Sequence, residues 1–134
     1  MTKGPAARTT TLSATALDAR VTRATRPLLL VVVRKGDEPS LRLCAVLDAL
    51  PADVQGAVDR VDVDVDDSAP LMDRLRIDKV PETLVFGAGS LVKDLPTVDV
   101  ARFLLVERTT GTMSAEYAAD FVRAAVRMAA VRWS

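Results

Sequence analysis

Cys44 is the single cysteine in a chain of 134 residues, and the chain contains no histidine. Histidine is the commonest general base and the commonest metal ligand, so both kinds of chemistry lose their usual residue. A lone cysteine can form neither an intrachain disulfide nor a cysteine-based zinc site. Because Leu43 and Leu47 are its helical neighbours, we expect Cys44 to be a buried, unreactive thiol. A redox sensor or a mixed disulfide is the alternative.

Two adjacent carboxylates are the next groups that could do chemistry. Asp37 and Glu38 stand before an apolar helical segment and are followed by Pro39 and Ser40. Carboxylates are stabilised at a helix N-terminus by the unpaired N–H groups and the helix dipole. We therefore interpret them as helix-capping residues. Acid–base catalysis is the alternative, and no histidine stands beside them to support it.

A series of aspartates has part of the spacing of a calcium-binding loop. Asp62, Asp64 and Asp66 alternate with valines, and Asp73 lies at the twelfth position of such a loop. Calcium loops need glycine at the sixth position and glutamate at the twelfth, but here these are Asp67 and Asp73. The alternation with valine predicts instead a strand with one covered face and one face in solvent. We expect no metal site and no cofactor.

The charge is balanced overall but unevenly distributed along the chain. Residues 1–36 carry seven bases and one acid, whereas residues 37–73 carry ten acids and two bases. The last fourteen residues carry three arginines and no acid. Opposite charges in separate regions suit a protein docked among protein partners, although these faces are also compatible with simple solvation. Aromatic residues make up only 4% of the chain, so we do not expect nucleic acid to be bound. The predicted docking surface consists of Arg102, Arg108, Arg123, Arg127, Arg132 and Trp133.

Apolar periodicity and turn residues predict the elements that position these groups. The longest apolar run, residues 27–33, is far shorter than the ~20 residues of a membrane span. We expect a tail over residues 1–8 and a single domain over 9–134. Its class is α/β, with one mixed sheet and helices on both faces. Strands are predicted at 9–12, 28–33, 61–65, 83–86, 91–92 and 101–107, and helices at 14–26, 41–50, 67–75 and from 115 onward.

This ordered series of elements resembles the thioredoxin family over about residues 9–130. The resemblance implies a three-layer α/β sandwich. It also implies a cis bond between Val80 and Pro81, which in the family shapes a groove for an extended partner segment. The segments that carry it are 27–33 for the central strand, 61–66 for the acidic strand end, 71–77 for the following helix, 80–86 for the proline loop and strand, and 111–114 for the start of the last helix.

The departures from the family pattern affect its chemistry. The family's Cys-x-x-Cys motif falls on Asp37, Glu38, Pro39 and Ser40, so both sulfur atoms are missing. Thiol–disulfide exchange requires a thiolate that attacks a disulfide sulfur, and neither a carboxylate nor a hydroxyl can replace it. The family's tryptophan before the motif is Gly36 here, and its buried acid on the central strand is Val31. Some fourteen extra residues near 94–108 form an insertion.

These observations predict a redox-inactive, non-catalytic subunit that scaffolds a larger protein assembly and docks through its basic flanks and the 94–108 insertion. The alternative is an assembly chaperone that binds a client peptide in a groove near Asp37, Glu38, Pro39, Ser40, Val80 and Pro81. A third hypothesis is an enzyme that uses chemistry other than thiol chemistry, and no small-molecule substrate is expected.

One unpaired cysteine favours an intracellular compartment, either an organelle interior such as the mitochondrion or the cytoplasm. The N-terminus is rich in Arg, Thr and Ala like a mitochondrial presequence, but residues 9–26 are needed for the first predicted strand and helix.

Overall fold

The computed structural model describes residues 9–133, and the predicted tail at 1–8 lies outside them. Ten regular elements and two short 3-10 turns follow one another along this part of the chain. The 3-10 turns are Val65–Asp67 and Gly89–Leu91. The elements are α1 (Ala14–Arg23), β1 (Leu28–Val33), α2 (Glu38–Asp48), α3 (Ala52–Gly56), β2 (Asp59–Asp64), α4 (Ala69–Leu75), β3 (Glu82–Phe86), α5 (Val100–Leu104), β4 (Leu105–Thr110) and α6 (Ala115–Arg132).

The strands form one mixed sheet in the order β2-β1-β3-β4. Strand β1 runs parallel to β2, and β3 runs antiparallel to both β1 and β4. All six residues of β1 are buried, as expected for a uniformly apolar strand at the centre of a sheet covered on both faces.

Successive side chains of β1 point to opposite faces of the sheet and enter two separate cores. Leu28, Leu30 and Val32 pack with α1, α4 and α5. Leu29 and Val31 pack with α2, α3 and α6 on the other face. Each fully buried aliphatic side chain of this kind stabilises the fold by about 1.5–3 kcal/mol. The predicted three-layer α/β sandwich is therefore confirmed.

Three predicted strands differ from the observed structure. Residues 9–12 form no strand, and Thr10 makes one backbone hydrogen bond of 2.8 Å to the carbonyl of Asp62. Residues 91–92 are also not a strand, because Leu91 is the last residue of a 3-10 turn and Val92 caps that turn. In the segment predicted as strand 101–107, the first half is helix α5. Its buried residues Val100, Ala101 and Leu104 have helical spacing, and a short apolar run does not distinguish helix from strand.

Two aspartates of β2, Asp62 and Asp64, are buried, whereas the sequence predicted one face of this strand in solvent. Asp62 and Asp64 are both less than one-tenth exposed. Buried carboxylates need hydrogen-bond partners, and both have them. Arg60 donates to both oxygens of Asp62, and Asp64 accepts from the backbone N–H groups of Lys35 and Asp66.

Within residues 9–133, no helix is long and apolar enough to cross a membrane.

Candidate functional site

The two halves of the predicted partner groove lie at the same end of the sheet. Val32 near the end of β1 pairs with Glu82 at the start of β3. The loop after β1 leads to Asp37 at the start of α2, and Pro81 directly precedes Glu82. The Val80–Pro81 peptide bond is cis, which confirms the prediction.

Asp37 caps helix α2 and holds Ser40. One oxygen of the Asp37 carboxylate, Oδ2, accepts the backbone N–H of Ser40 at 3.0 Å and its hydroxyl at 2.8 Å. The hydroxyl oxygen of Ser40 in turn accepts the N–H of Arg34 at 3.2 Å. Pro39 lies in the first turn, where its missing N–H costs no hydrogen bond. Glu38 points into solvent, 3.7 Å from Arg42. The capping interpretation of Asp37 is confirmed.

Asp64 anchors the loop that joins β1 to α2. Its Oδ2 accepts the N–H of Lys35 at 2.9 Å, and its Oδ1 accepts the N–H of Asp66 at 2.8 Å. The side chains of Arg34 and Lys35 lie 3.5 Å and 3.7 Å from Asp66 and Asp67. The carboxylates at the end of β2 and in the following 3-10 turn therefore bind groups of the protein itself. Both oxygens of Asp64 accept hydrogen bonds from backbone N–H groups.

Glu82 follows Pro81 and forms a buried ion pair that the sequence did not reveal. Its side chain is almost fully buried, and its carboxylate binds the Arg108 guanidinium and lies 3.5 Å from the Thr110 hydroxyl. Arg108 also donates to the carbonyl of Leu75 at 2.9 Å. Arg108 thus belongs to the Pro81 end of the sheet and is separated from the predicted C-terminal docking surface. The signal for this pair is a glutamate at the first position of a fully buried strand.

Cys44 lies within α2, on the side that faces the sheet, and is 1% exposed. Its Sγ is 3.8 Å from Oδ2 of Asp62. Burial raises the pKa of the Cys44 thiol to about 11, and the negative charge of Asp62 adds to this effect. The thiolate is the reactive form of cysteine, and both the burial of Cys44 and the negative charge of Asp62 disfavour it.

Beside Cys44, a polar depression of about 460 Å³ opens between β2 and the end of α2. Three of its four charged groups bind one another, and the fourth is the exposed Arg20. Arg60 donates to Asp62 at 2.9 Å through two nitrogens and to Asp48 at 2.6 Å. Among residues 9–133, moreover, no group of three or more Cys, Asp or Glu side chains could hold a metal ion. Arg60 therefore binds both carboxylates of this depression, Asp48 and Asp62.

The remaining residues of the predicted docking surface lie on α5, along α6 from its middle onward, and at the C-terminal cap of α6. Arg123 is 3.4 Å from Asp53, and Arg127 is exposed one turn further on. Arg132 donates to the carbonyl of Leu105 at 3.2 Å, and its guanidinium carbon lies 5.4 Å from the centroid of the Trp133 ring.

Trp133 joins the ends of α5 and α6. Its ring lies 6.0 Å from that of Phe103, the residue after Arg102. It also covers Gly87, where a Cβ atom would lie only 2.3 Å from the ring. The structure thus brings Arg102, Arg132 and Trp133 to one end of the molecule.

An apolar groove of about 320 Å³ opens beside Trp133, and the sequence analysis did not predict it. Pro27 precedes β1 and the other loop residues follow β3, so the groove lies at the opposite end of the sheet from Pro81. The one signal in the sequence was Leu91, an aliphatic residue in a turn, which is 69% exposed. The groove is lined by Pro27, Ala88, Leu91, Val126, Ala129 and Trp133, among other apolar residues.

Comparison with solved structures shows that the chain has a thioredoxin-like fold. A chloroplastic thioredoxin z superposes with a TM-score of 0.65 over 88% of this chain and 94% of that chain, at 20% sequence identity. No protein-family model matches the sequence, and the search of curated proteins finds no significant match. The similarity therefore concerns the fold.

Proposed function

We propose that this chain is a redox-inactive protein of thioredoxin-like fold that acts by binding other proteins, as a structural subunit of an assembly. The observation that carries the proposal is the pair Asp37 and Ser40. These residues stand at the start of α2, where the resemblance to thioredoxin places the two cysteines. Their side chains hydrogen-bond to each other at 2.8 Å. Neither an aspartate nor a serine can form or exchange a disulfide.

The burial of Cys44 supports the same proposal. This thiol is enclosed between α2 and the sheet, and burial raises its pKa to about 11. An attacking thiol must be ionised and must reach its target disulfide. Cys44 meets neither condition, so it cannot take over the function of the missing pair.

The surface near the C-terminus supports a binding function. Large apolar side chains are exposed there beside cations, which is typical of interaction surfaces. Leu91 is 69% exposed, Val131 is 75% exposed and Phe103 is about half exposed. Arg102 is exposed on α5, which carries Phe103, and Arg127 is exposed on α6, which carries Val131. The proposal includes an intracellular setting, because a single cysteine suits a reducing compartment.

An assembly chaperone that holds a client peptide near Asp37 and Pro81 is the competing function. It requires an accessible surface around these residues. Pro81 and Ser40 are buried, which leaves the exposed Glu38 and the partly exposed Asp37, Pro39 and Val80 as contact points. We therefore favour a structural subunit over a chaperone.

Purification of the tagged chain from its own cells, at stepwise increasing salt, tests this proposal. A structural subunit remains bound to the same partner in a fixed ratio up to about 1 M salt, where the Debye length falls to ~3 Å and exposed charge pairs are screened. The variant Glu38→Lys reverses a charge in the groove that a chaperone would use. If the chain is a structural subunit, this variant should leave the ratio of chain to partner unchanged. Partners that dissociate at low salt, and that Glu38→Lys weakens, would support the chaperone instead.

A further inference from the structure

One wall of the apolar groove beside Trp133 is a flank of helix α6. Val126, Ala130 and Trp133 lie at positions i, i+4 and i+7, so they fall on the same side of the helix. Trp133 is held in place by Phe103 and by close contact with Gly87. This wall is therefore fixed before any partner binds.

The opposite wall is the turn after β3, which is attached to α1. Ser90 donates through its N–H and its hydroxyl to the carbonyl of Ala24, at 3.2 Å and 2.7 Å. Gly89 packs so closely that a Cβ atom would lie 2.4 Å from the carbonyl oxygen of Val21. The turn presents Leu91 at the rim of the groove. A preformed groove lowers the entropic cost of binding.

The apolar lining and the length of the groove favour a long apolar ligand over a small molecule. A small-molecule site usually contains a few polar groups that orient the ligand, but every residue described as lining this groove is apolar. Val126 also lines a second depression of about 240 Å³ between α3 and α6, which reaches Val122. From Val122 to Trp133, α6 rises about 16 Å at ~1.5 Å per residue, enough to face two turns or more of another helix.

The charges along this flank of α6 indicate which charged residues a partner would need. Arg123 and Arg127 line the second depression, and the partly buried Val126 lines both. Helix α6 carries no acid after Asp120. Asp53 is the acid of this depression, and it lies 3.4 Å from Arg123, so Arg127 gives the rim its positive charge.

We infer that this groove binds an amphipathic helix of a partner protein, with apolar residues against Val126 and Trp133 and acidic residues against Arg127. The inference rests on the proposed function and specifies its partner. A helix in a groove anchors through residues at i, i+3 or i+4, and i+7, which matches the spacing along α6. Complementary charge fixes the orientation of such a helix and discriminates against basic ones.

Two synthetic peptides of about 18 residues test this inference. Both carry leucines along one helical face, and the remaining positions are glutamates in one peptide and lysines in the other. Trp133 is the only tryptophan, so its fluorescence reports on the groove directly. We expect saturable binding of the glutamate peptide, with a Kd at least ~10-fold lower than that of the lysine peptide, and a weaker preference as salt rises.

Three variants locate the binding site. Ala130→Glu places a charge in the groove and should abolish binding of the glutamate peptide. Ala124→Glu, on an exposed part of the same helix, is the matched control and should leave it unchanged. Arg127→Glu should shift the preference toward the lysine peptide. Circular dichroism of each variant checks that the helix is intact.

Equal affinity for the two peptides, no response of Trp133, or loss of binding in Ala124→Glu would overturn the inference. Self-association of the chain through this groove, detected by sedimentation and removed by Ala130→Glu, would also overturn it. A different result would refute the proposed function, namely catalysis of disulfide reduction by the chain. A chain that remains bound to its partner when Ala130→Glu is introduced would refute the groove inference and leave the proposed function standing.

Discussion

The Sγ atom of Cys44 lies 3.8 Å from Oδ2 of Asp62, in a contact enclosed between helix α2 and the sheet. This carboxylate is bound by Arg60 through two nitrogens. The thiol is thus held next to a fixed negative charge, and loss of its proton would place a second negative charge beside the first. Burial and this charge together keep Cys44 protonated.

Cys44 is expected to react very slowly with a thiol reagent such as Ellman's reagent in the folded protein. Raising the pKa from 9.0 to about 11 lowers the thiolate fraction about 100-fold near pH 8, and burial blocks access as well. The rate is measured for native protein and for protein unfolded in urea. A Cys44→Ala chain carrying Ala124→Cys provides an exposed thiol as the control. Native Cys44 reacting as fast as that control would contradict the structure.

The stability that Cys44 contributes should decrease between about pH 9 and pH 11. In the unfolded chain the thiol ionises near 9.0, whereas in the folded chain it stays protonated until about 11. The folded state therefore binds more protons in this window, so rising pH favours unfolding. Urea unfolding of wild type and Cys44→Ala at each pH gives the difference in free energy of unfolding. We expect a difference that is flat below pH 9 and falls above it; a difference independent of pH would refute this prediction.

Substitution Glu82→Gln should destabilise the fold through Arg108. The glutamate is 3% exposed, and its loss leaves a guanidinium without its carboxylate. Breaking a fully buried pair costs about 3–5 kcal/mol; since one-third of the Arg108 side chain is exposed, we expect about 1–3 kcal/mol. Glu107→Gln on the neighbouring strand is the control and should cost less than about 1 kcal/mol. Equal losses for the two variants in urea unfolding would argue against the buried pair.

Substitution Gly87→Ala should displace Trp133. The new Cβ atom would lie 2.3 Å from the indole ring, so the ring must move, at a cost of about 1–3 kcal/mol. Fluorescence should shift toward the emission of an exposed tryptophan. Gly56→Ala is the control, because its Cβ atom meets nothing within 4 Å and it lies in α3, where alanine is favoured by up to ~1 kcal/mol. An unchanged spectrum for Gly87→Ala would show that the ring is not seated as described.

Elements with a strong local pattern could be predicted from the sequence. Strand β1 was recognisable because every residue from Leu28 to Val33 is apolar, as a strand covered on both faces requires. The cap at Asp37 follows from an acidic residue before a helix that contains Pro39 in its first turn. The cis bond before Pro81 was predicted from family resemblance.

Features that depend on distant parts of the chain could not be predicted. The alternation of valine and aspartate in β2 indicates which face of the sheet Val61 and Val63 occupy. Whether Asp62 is buried depends on the packing of α2 against the opposite face. Helix α5 and strand β4 share one apolar run, and α5 packs against α1, a contact that the run itself does not reveal. The apolar groove combines Pro27, Leu91 and Trp133, which no local pattern connects.

The reduction of insulin disulfides by dithiothreitol tests the central claim most directly. Free chains are quantified by chromatography, because turbidity would also respond to a chaperone. We expect the wild-type chain to leave the rate unchanged, because Asp37 and Ser40 cannot exchange disulfides and Cys44 is buried. The double variant Asp37→Cys with Ser40→Cys serves as the positive control and should accelerate the reaction. Acceleration by the wild-type protein that Cys44→Ala abolishes would contradict the account.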